Sequence, residues 1–312
     1  MKSTFINKTH IEGYLYEHDL ESKISGENSK NPGTPFIAGS ISIATNEECT
    51  NIVPVHFTYV TATTISTGSP NATYTFLKNV IDGAVNTVMG GGKENAAKVR
   101  IDSAIGLNEF YSDRNGVEEL VSTKRNNGGF VHVCDNLTEI ENNRNTFECE
   151  MVITNVRRIE ANEEKGYPEK VIVKGAIFDF RKALLPVEFS ATNPNAMDYF
   201  ENLDASNTNP VFTKVWGRQI SETISTKIEE ESAFGETYVK EVPVSHKEFL
   251  ITGASKEPML WDDESTITVS EFKDKIAERE TYLATVKKRQ EDYKASKAQA
   301  NNAAPKKDGF NF

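Results

Sequence analysis

Cysteine is nearly missing from this chain: Cys49, Cys134 and Cys149 are all it has in 312 residues. An odd number without motif spacing excludes a disulfide framework and fits reduced thiols in a cytoplasmic protein. Long apolar runs are missing too. No stretch approaches the roughly 18 apolar residues of a membrane span, so no membrane partner is expected. The start, Met1-Lys2-Ser3-Thr4-Phe5-Ile6-Asn7-Lys8, is charged but has no apolar core, which argues against a secretory leader. The five histidines (His10, His18, His56, His132, His246) share no spacing that suggests a metal site, with one another or with cysteine. Gly90-Gly91-Gly92-Lys93 lacks the upstream glycine and the following Ser/Thr of a phosphate loop. There is no Gly-X-Ser-X-Gly elbow, and the carboxylates are scattered. The expectation is a protein that is not an enzyme and carries no cofactor or metal.

Positive charge is also in deficit, with a formal net charge of -11. From Thr266 onward there are ten Lys and Arg against seven Asp and Glu, a net of +3, which leaves -14 for the rest. An acidic body argues against coating nucleic acid by charge alone. A local basic groove stays open, because binding follows the field at the groove rather than the total.

What is present is a message given twice. Ile37-Ala38-Gly39-Ser40-Ile41-Ser42-Ile43 is followed by Pro54-Val55-His56-Phe57; Val173-Lys174-Gly175-Ala176-Ile177-Phe178-Asp179 is followed by Pro186-Val187-Glu188-Phe189. Each half then offers a short helical segment, from Asn71 to Ile81 and from Asn195 to Leu203, and two further strand-like runs. A spacing of about 130 residues is too long for a solenoid unit and has the size of a domain. Five strands with a helix between the third and fourth is the order of an oligonucleotide/oligosaccharide-binding (OB) barrel. The reading is a mainly β chain of two tandem OB-like five-stranded barrels. The first spans residues 1–140 and the second 145–255. An acidic linker (256–265), a helix (266–300) with Ser265 or Thr266 as its cap, and a short flexible tail (301–312) follow.

The chemical signal is aromatic and cationic residues interleaved on strands. Period-two alternation puts Phe212, Lys214, Trp216 and Arg218 on one face, with Thr213, Val215 and Gly217 on the other. It likewise puts Lys174, Phe178 and Phe180 together, and Arg157-Arg158 extends the track. Bases stack on rings for roughly 1–3 kcal/mol each while Lys and Arg neutralise phosphates. The same pattern also describes core rings with lysines reaching outward, and for Trp216 both readings stand. The first unit offers Tyr14, Tyr16, Lys98 and Arg100, with Phe57 read as core. Lys124-Arg125 is either a solvated loop or a contact to a nucleic-acid backbone. The final helix has a narrow apolar stripe (Phe272, Ile276, Leu283, Val286, Tyr293) that docks on the barrels or pairs with a second copy.

The two-barrel plan, these strands and the ending Asp308-Gly309-Phe310-Asn311-Phe312 resemble single-stranded DNA-binding proteins, especially those of phages and other mobile elements. Bacterial members of that class end in an acidic tail with a terminal Phe that recruits replication and repair partners. Here Asp308, Phe310 and Phe312 match in kind, while Lys306-Lys307 stands where the acidic run belongs. The resemblance implies a protein that coats and protects single-stranded DNA during replication or recombination with little sequence preference. The alternative is a structural or adaptor module, such as a virion component, that binds no nucleic acid.

Overall fold

The computed structural model describes residues 4–303 apart from 28, 65–66, 115–116, 163–167, 231–233, 235–237 and 263–265. Asp308, Phe310 and Phe312 lie outside the described residues. The chain is mainly β. Eleven strands run in order: β1 (Asn7–His18), β2 (Glu21–Ile24), β3 (Pro35–Ala44), β4 (Ile52–Thr61), β5 (Lys98–Arg114), β6 (Val117–Val133), β7 (Asn145–Ile159), β8 (Lys170–Phe178), β9 (Leu184–Ala191), β10 (Val211–Glu230) and β11 (Tyr238–Ala254). Four helices join them: α1 (Ala72–Ile81), the single turn α2 (Val88–Gly91), α3 (Pro194–Glu201) and α4 (Val269–Ala303). No helix among the described residues is long and apolar enough to cross a membrane.

The pairings close on themselves twice. β1 pairs with β3, β3 with β4, β4 with β6 in parallel, β6 with β5, and β5 with β1. The second half repeats the circuit as β7–β8, β8–β9, a parallel β9–β11 contact, β11–β10 and β10–β7. Each ring buries its inward residues. Ile11, Ile41, Val55, Phe57 and Val99 fill one interior, and Phe147, Val173, Val187, Phe189 and Ile251 fill the other. The helix between third and fourth strands plugs each ring, α1 with Phe76, Leu77 and Val80, α3 with Met197 and Phe200. Both helices start the same way. The Asn71 side chain accepts the Thr73 amide, and Asn193 accepts the Asn195 amide ahead of Pro194, so an otherwise orphaned N–H is satisfied.

Strand register refines the repeat. Pro54 lies opposite Ser42 and Phe57 opposite Gly39; Pro186 lies opposite Ala176 and Phe189 opposite Val173. The two Pro-Val-X-Phe runs are therefore equivalent, and both phenylalanines are buried as the sequence suggests for Phe57. The two glycines are not equivalent: Gly175 faces Val187, two places along from the site that Gly39 occupies. Gly39 has a local reason of its own. Its φ is +126°, and a Cβ there would lie 2.6 Å from the Asp19 carbonyl oxygen where the chain turns from β1 into β2.

A third apolar cluster lies outside both rings. Phe5, Val152, Ala176, Phe178, Leu184, Phe212, Ile267 and Phe272 form it, with Met259 and Trp261 against them. The ring of Phe5 stacks on Phe178 at 4.4 Å, and Trp261 lies 5.8 Å from Phe212. The acidic segment expected as a linker is thus docked by Met259 and Trp261, and the Met259 amide donates to the Phe212 carbonyl. α4 begins with a capping box at Thr268 rather than Ser265 or Thr266: Glu271 accepts the Thr268 amide and Thr268 Oγ1 accepts the Glu271 amide. The helix then lies along β5. Arg279 pairs with Glu109, both nearly sealed, and Gln290 brackets the backbone of Tyr111.

Candidate nucleic-acid interface

Alternation along β10 holds as the sequence suggests for its middle. Thr213, Val215, Gly217 and Gln219 turn inward and are buried, while Lys214, Trp216 and Arg218 turn outward. Trp216 is 40% exposed. Its indole lies flat on Gly253 of β11, where an added Cβ would come within 2.4 Å of Nε1. One ring face is therefore supported by backbone. The side chain borders a groove of about 660 Å³ lined also by Asn142, Thr146, Glu148, Lys214, Arg218 and Thr252. Arg218 donates to the Asn142 side-chain oxygen Oδ1, and its Nε is buried without a partner.

Two aromatic assignments are corrected. Phe178 and Phe212 have 0% exposure. Both have the outward parity that alternation gives them, but the third cluster covers that part of the wall, so neither ring is open to a base. Phe180 is 82% exposed, yet it sits beyond this sealed end, in the turn after β8, with the Arg181 guanidinium over its ring at 5.0 Å.

The cations of the track are present but mostly engaged. Lys214 is paired with Glu148, and Lys174 lies 3.3 Å from Glu188. Arg158 is held by Glu201 at 2.6 Å and Glu169 at 2.7 Å, with Asp198 at 3.7 Å. The bidentate bond to Glu201 and the one to Glu169 push the guanidinium pKa further up and hold Glu201 below its ordinary value. Arg157 is exposed on the same strand. Surface pairs of this kind are worth little and exchange readily, so a phosphate competes with these carboxylates rather than meeting free charge.

In the first ring, Tyr14 is not an open platform. Its hydroxyl donates to Glu47, and the Lys93 ammonium covers its ring at 4.9 Å. Glu47 also receives Lys93 at 2.6 Å and Arg144 at 2.7 Å. Those donors hold its carboxyl at about 2, and burial with the Glu47 bond raises the Tyr14 phenol. Tyr16 is half-buried, and Lys98 reaches the Asp135 carbonyl oxygen at 3.1 Å. Arg100 is exposed and faces His132 across the strands, while Phe130, two pairs along and 70% exposed, faces Asp102. Phe130, on β6, is a ring that the sequence reading did not single out. Asn142 and Gly253 were missed as well. Nothing in their local sequence announces them, since the groove joins the turn before β7 to the end of β11.

Among the described residues no group of three or more His, Cys, Asp or Glu could hold a metal ion. All three cysteines are free, and burial raises the Cys149 thiol far above its ordinary value.

No curated protein matches the sequence. Among solved structures, the wild-type single-stranded DNA-binding protein from Thermus aquaticus is similar with a TM-score of 0.47 and 8% identity, covering 84% of this chain and 97% of that one. A deletion mutant of the same protein gives a TM-score of 0.46 at 8% identity, with 84% and 98% covered. The YorF family model matches residues 6–289. A match over that much of the sequence places it plainly: the chain belongs to the YorF family.

Proposed function

We propose that this is a cytoplasmic single-stranded DNA-binding protein built from two OB folds, residues 1–140 and 145–255, that coats single strands during replication or recombination with little sequence preference. The pairing circuit of each ring, with a helix between its third and fourth strands, supports the OB assignment. One observation carries the function: Trp216 rests on Gly253 and borders an open groove between Lys214 and Arg218. A ring backed by a glycine and flanked by cations suits a stacked base with phosphates on either side. The interface consists of Trp216, Lys214, Arg218 and Lys174, with Arg157, Arg100 and Phe130 as outlying contacts. Self-association through α4 rests on its outward Ile276 and Tyr293, which are 41% and 67% exposed. The tail residues 308–312 recruit replication partners in this reading.

The test uses intrinsic fluorescence. Trp261 lies in the third cluster, so a Trp261→Phe variant leaves Trp216 as the sole reporter. Adding an oligonucleotide quenches its emission if a base stacks there, and the affinity weakens as salt rises. Emission and anisotropy that stay flat down to low salt sink the reading. They favour the second one, an adaptor or structural module, which the carboxylates paired with Lys214, Lys174 and Arg158 support.

A further inference from the structure

Further cations without carboxylate partners lie at the seam between the rings. Residues of both parities of β10 lead to that seam from the Trp216 groove. Arg218 and Asn142 border both the groove and a small polar hollow of about 140 Å³, and Gln219 and Ile220 line both that hollow and a cleft of about 340 Å³. This cleft lies between the two rings. Lys124 and Arg125 of β6 enter from the first, and Lys247 of β11 enters from the second. Its floor is fixed by a reciprocal amide pair: Asn126 Nδ2 donates to Gln219 Oε1 at 2.8 Å, and Gln219 Nε2 donates to Asn126 Oδ1 at 3.1 Å.

The charge balance there differs from the Trp216 face. Arg125 and Lys247 form no salt bridge among the described residues, and Lys124 donates to a neutral acceptor, the Glu188 carbonyl oxygen, at 2.6 Å. Of the nearby carboxylates, Glu248 pairs with Lys170 at 2.8 Å and His246 at 3.3 Å, Glu188 with Lys174, and Asp19 accepts from the Ser40 hydroxyl, while Glu141 and Glu222 line the hollow before the cleft. Burial first, and then Arg125, hold the His56 imidazole below its ordinary value, with Asp19 opposing and Lys247 adding a smaller share, so it adds little charge of its own. Lys124 is itself largely buried, and burial lowers its ammonium. It acts as a strut between the rings, and the accessible charges are Arg125 and Lys247.

We propose that this cleft holds phosphates of a single strand that has already engaged Trp216, with Arg125 and Lys247 as the phosphate contacts, so that the bound strand crosses from the second ring to the first. The inference rests on the single-strand reading above and adds the direction of the track. Lys247 faces Ser221, five residues beyond Trp216 on β10 and so of the opposite parity. The bound strand covers roughly 16 Å at a β-strand's rise and crosses the β10 edge beyond its last pair with β7. A strand reaching that far touches both sites, and one that covers Trp216 alone does not.

The experiment measures affinity by anisotropy and stacking by Trp216 emission, for the full chain and its Lys247→Gln and Arg125→Gln/Lys247→Gln variants. The probes are unstructured oligonucleotides of about 20 and about 4 nucleotides, at several salt concentrations. The double variant should bind the long probe about 5–10-fold more weakly at low salt, with the slope of log affinity against log salt shallower by about 1.4, the value for two lost phosphates on a single strand. Lys247→Gln, whose side chain is exposed, should show about half that change of slope even if the double variant is unstable. The short probe should bind all forms alike. An unchanged slope with the long probe, while Trp216 is still quenched, overturns the cleft and leaves the function reading in place. Equal losses with long and short probes overturn it too, because the cations would then act as a general field. Failure of the unaltered protein to bind either probe removes the function reading and the cleft with it.

Discussion

The two ends of the outward face of β10 have opposite fates. Phe212 and Trp216 share a strand, a parity and a chemical character, yet the first is sealed and the second borders an open groove. The difference is not local. Phe212 is covered by Phe5 from the start of the chain and by Trp261 and Phe272 from near its end, and Trp216 has only the flat backbone of Gly253 beneath it. Strand periodicity decides which side of the wall a residue takes. Whether that side meets water is decided by segments distant in the chain, Phe5 on one side and Trp261 and Phe272 on the other.

The comparison breaks most sharply under alanine substitution. Phe212→Ala removes a ring from a closed cluster and should cost about 3–5 kcal/mol of unfolding free energy, read by denaturant titration, while the folded fraction keeps its oligonucleotide affinity. Trp216→Ala should do the reverse, with a stability change below about 1 kcal/mol and a binding loss of about 1–3 kcal/mol. If both variants lose stability equally, Trp216 is a core residue and the contrast collapses. A similar cost of about 3 kcal/mol is expected for Arg279→Met, which strands the Glu109 carboxylate in a nearly sealed site. Hydrogen exchange should then show α4 loosened from β5 while both rings stay protected. Gly253→Ala sharpens the comparison from below. It lifts the indole off its support, so quenching should fall before stability does.

The smallest effect concerns pH. Lys93 and Arg144 hold Glu47 at about 2, below its ordinary 4.5. A depressed folded value means the contribution is complete above about 4.5 and is lost as pH falls towards 2. Because Glu47 is 43% exposed, screening limits it to about 1 kcal/mol. Glu47→Gln should flatten the stability profile in that window, and an unaltered profile would mean the knot around Tyr14 contributes nothing.

The order of strands and helices was legible because each is a local pattern. Pro-Val-X-Phe marked equivalent third strands, and a short apolar segment marked both plugging helices, though the second is capped by Asn193 rather than starting at Asn195. The repeat of glycines misled by two residues, since Gly39 answers to a crossing chain that Gly175 does not meet. The site was half legible. Lys214, Trp216 and Arg218 followed from alternation. Phe178 and Phe212 failed because their cover is long-range, and Tyr14 because Lys93 lies on it. The linker that carries Trp261 looked like solvent-exposed chain, because an acidic run conceals two apolar anchors.

The third cluster also bears on synthesis. Phe5 leaves the ribosome about 270 residues ahead of Phe272, which at roughly 5–20 residues per second is about 13 to 50 seconds. Early in that interval the nascent protein carries β1, about half of whose length waits for β7, and until Phe178 is made the Phe5 ring has no stacking partner. A chain stalled or truncated before Trp261 would retain the strands of both circuits and expose the rings of Phe5, Phe178 and Phe212 together, a patch fit for chaperones or aggregation.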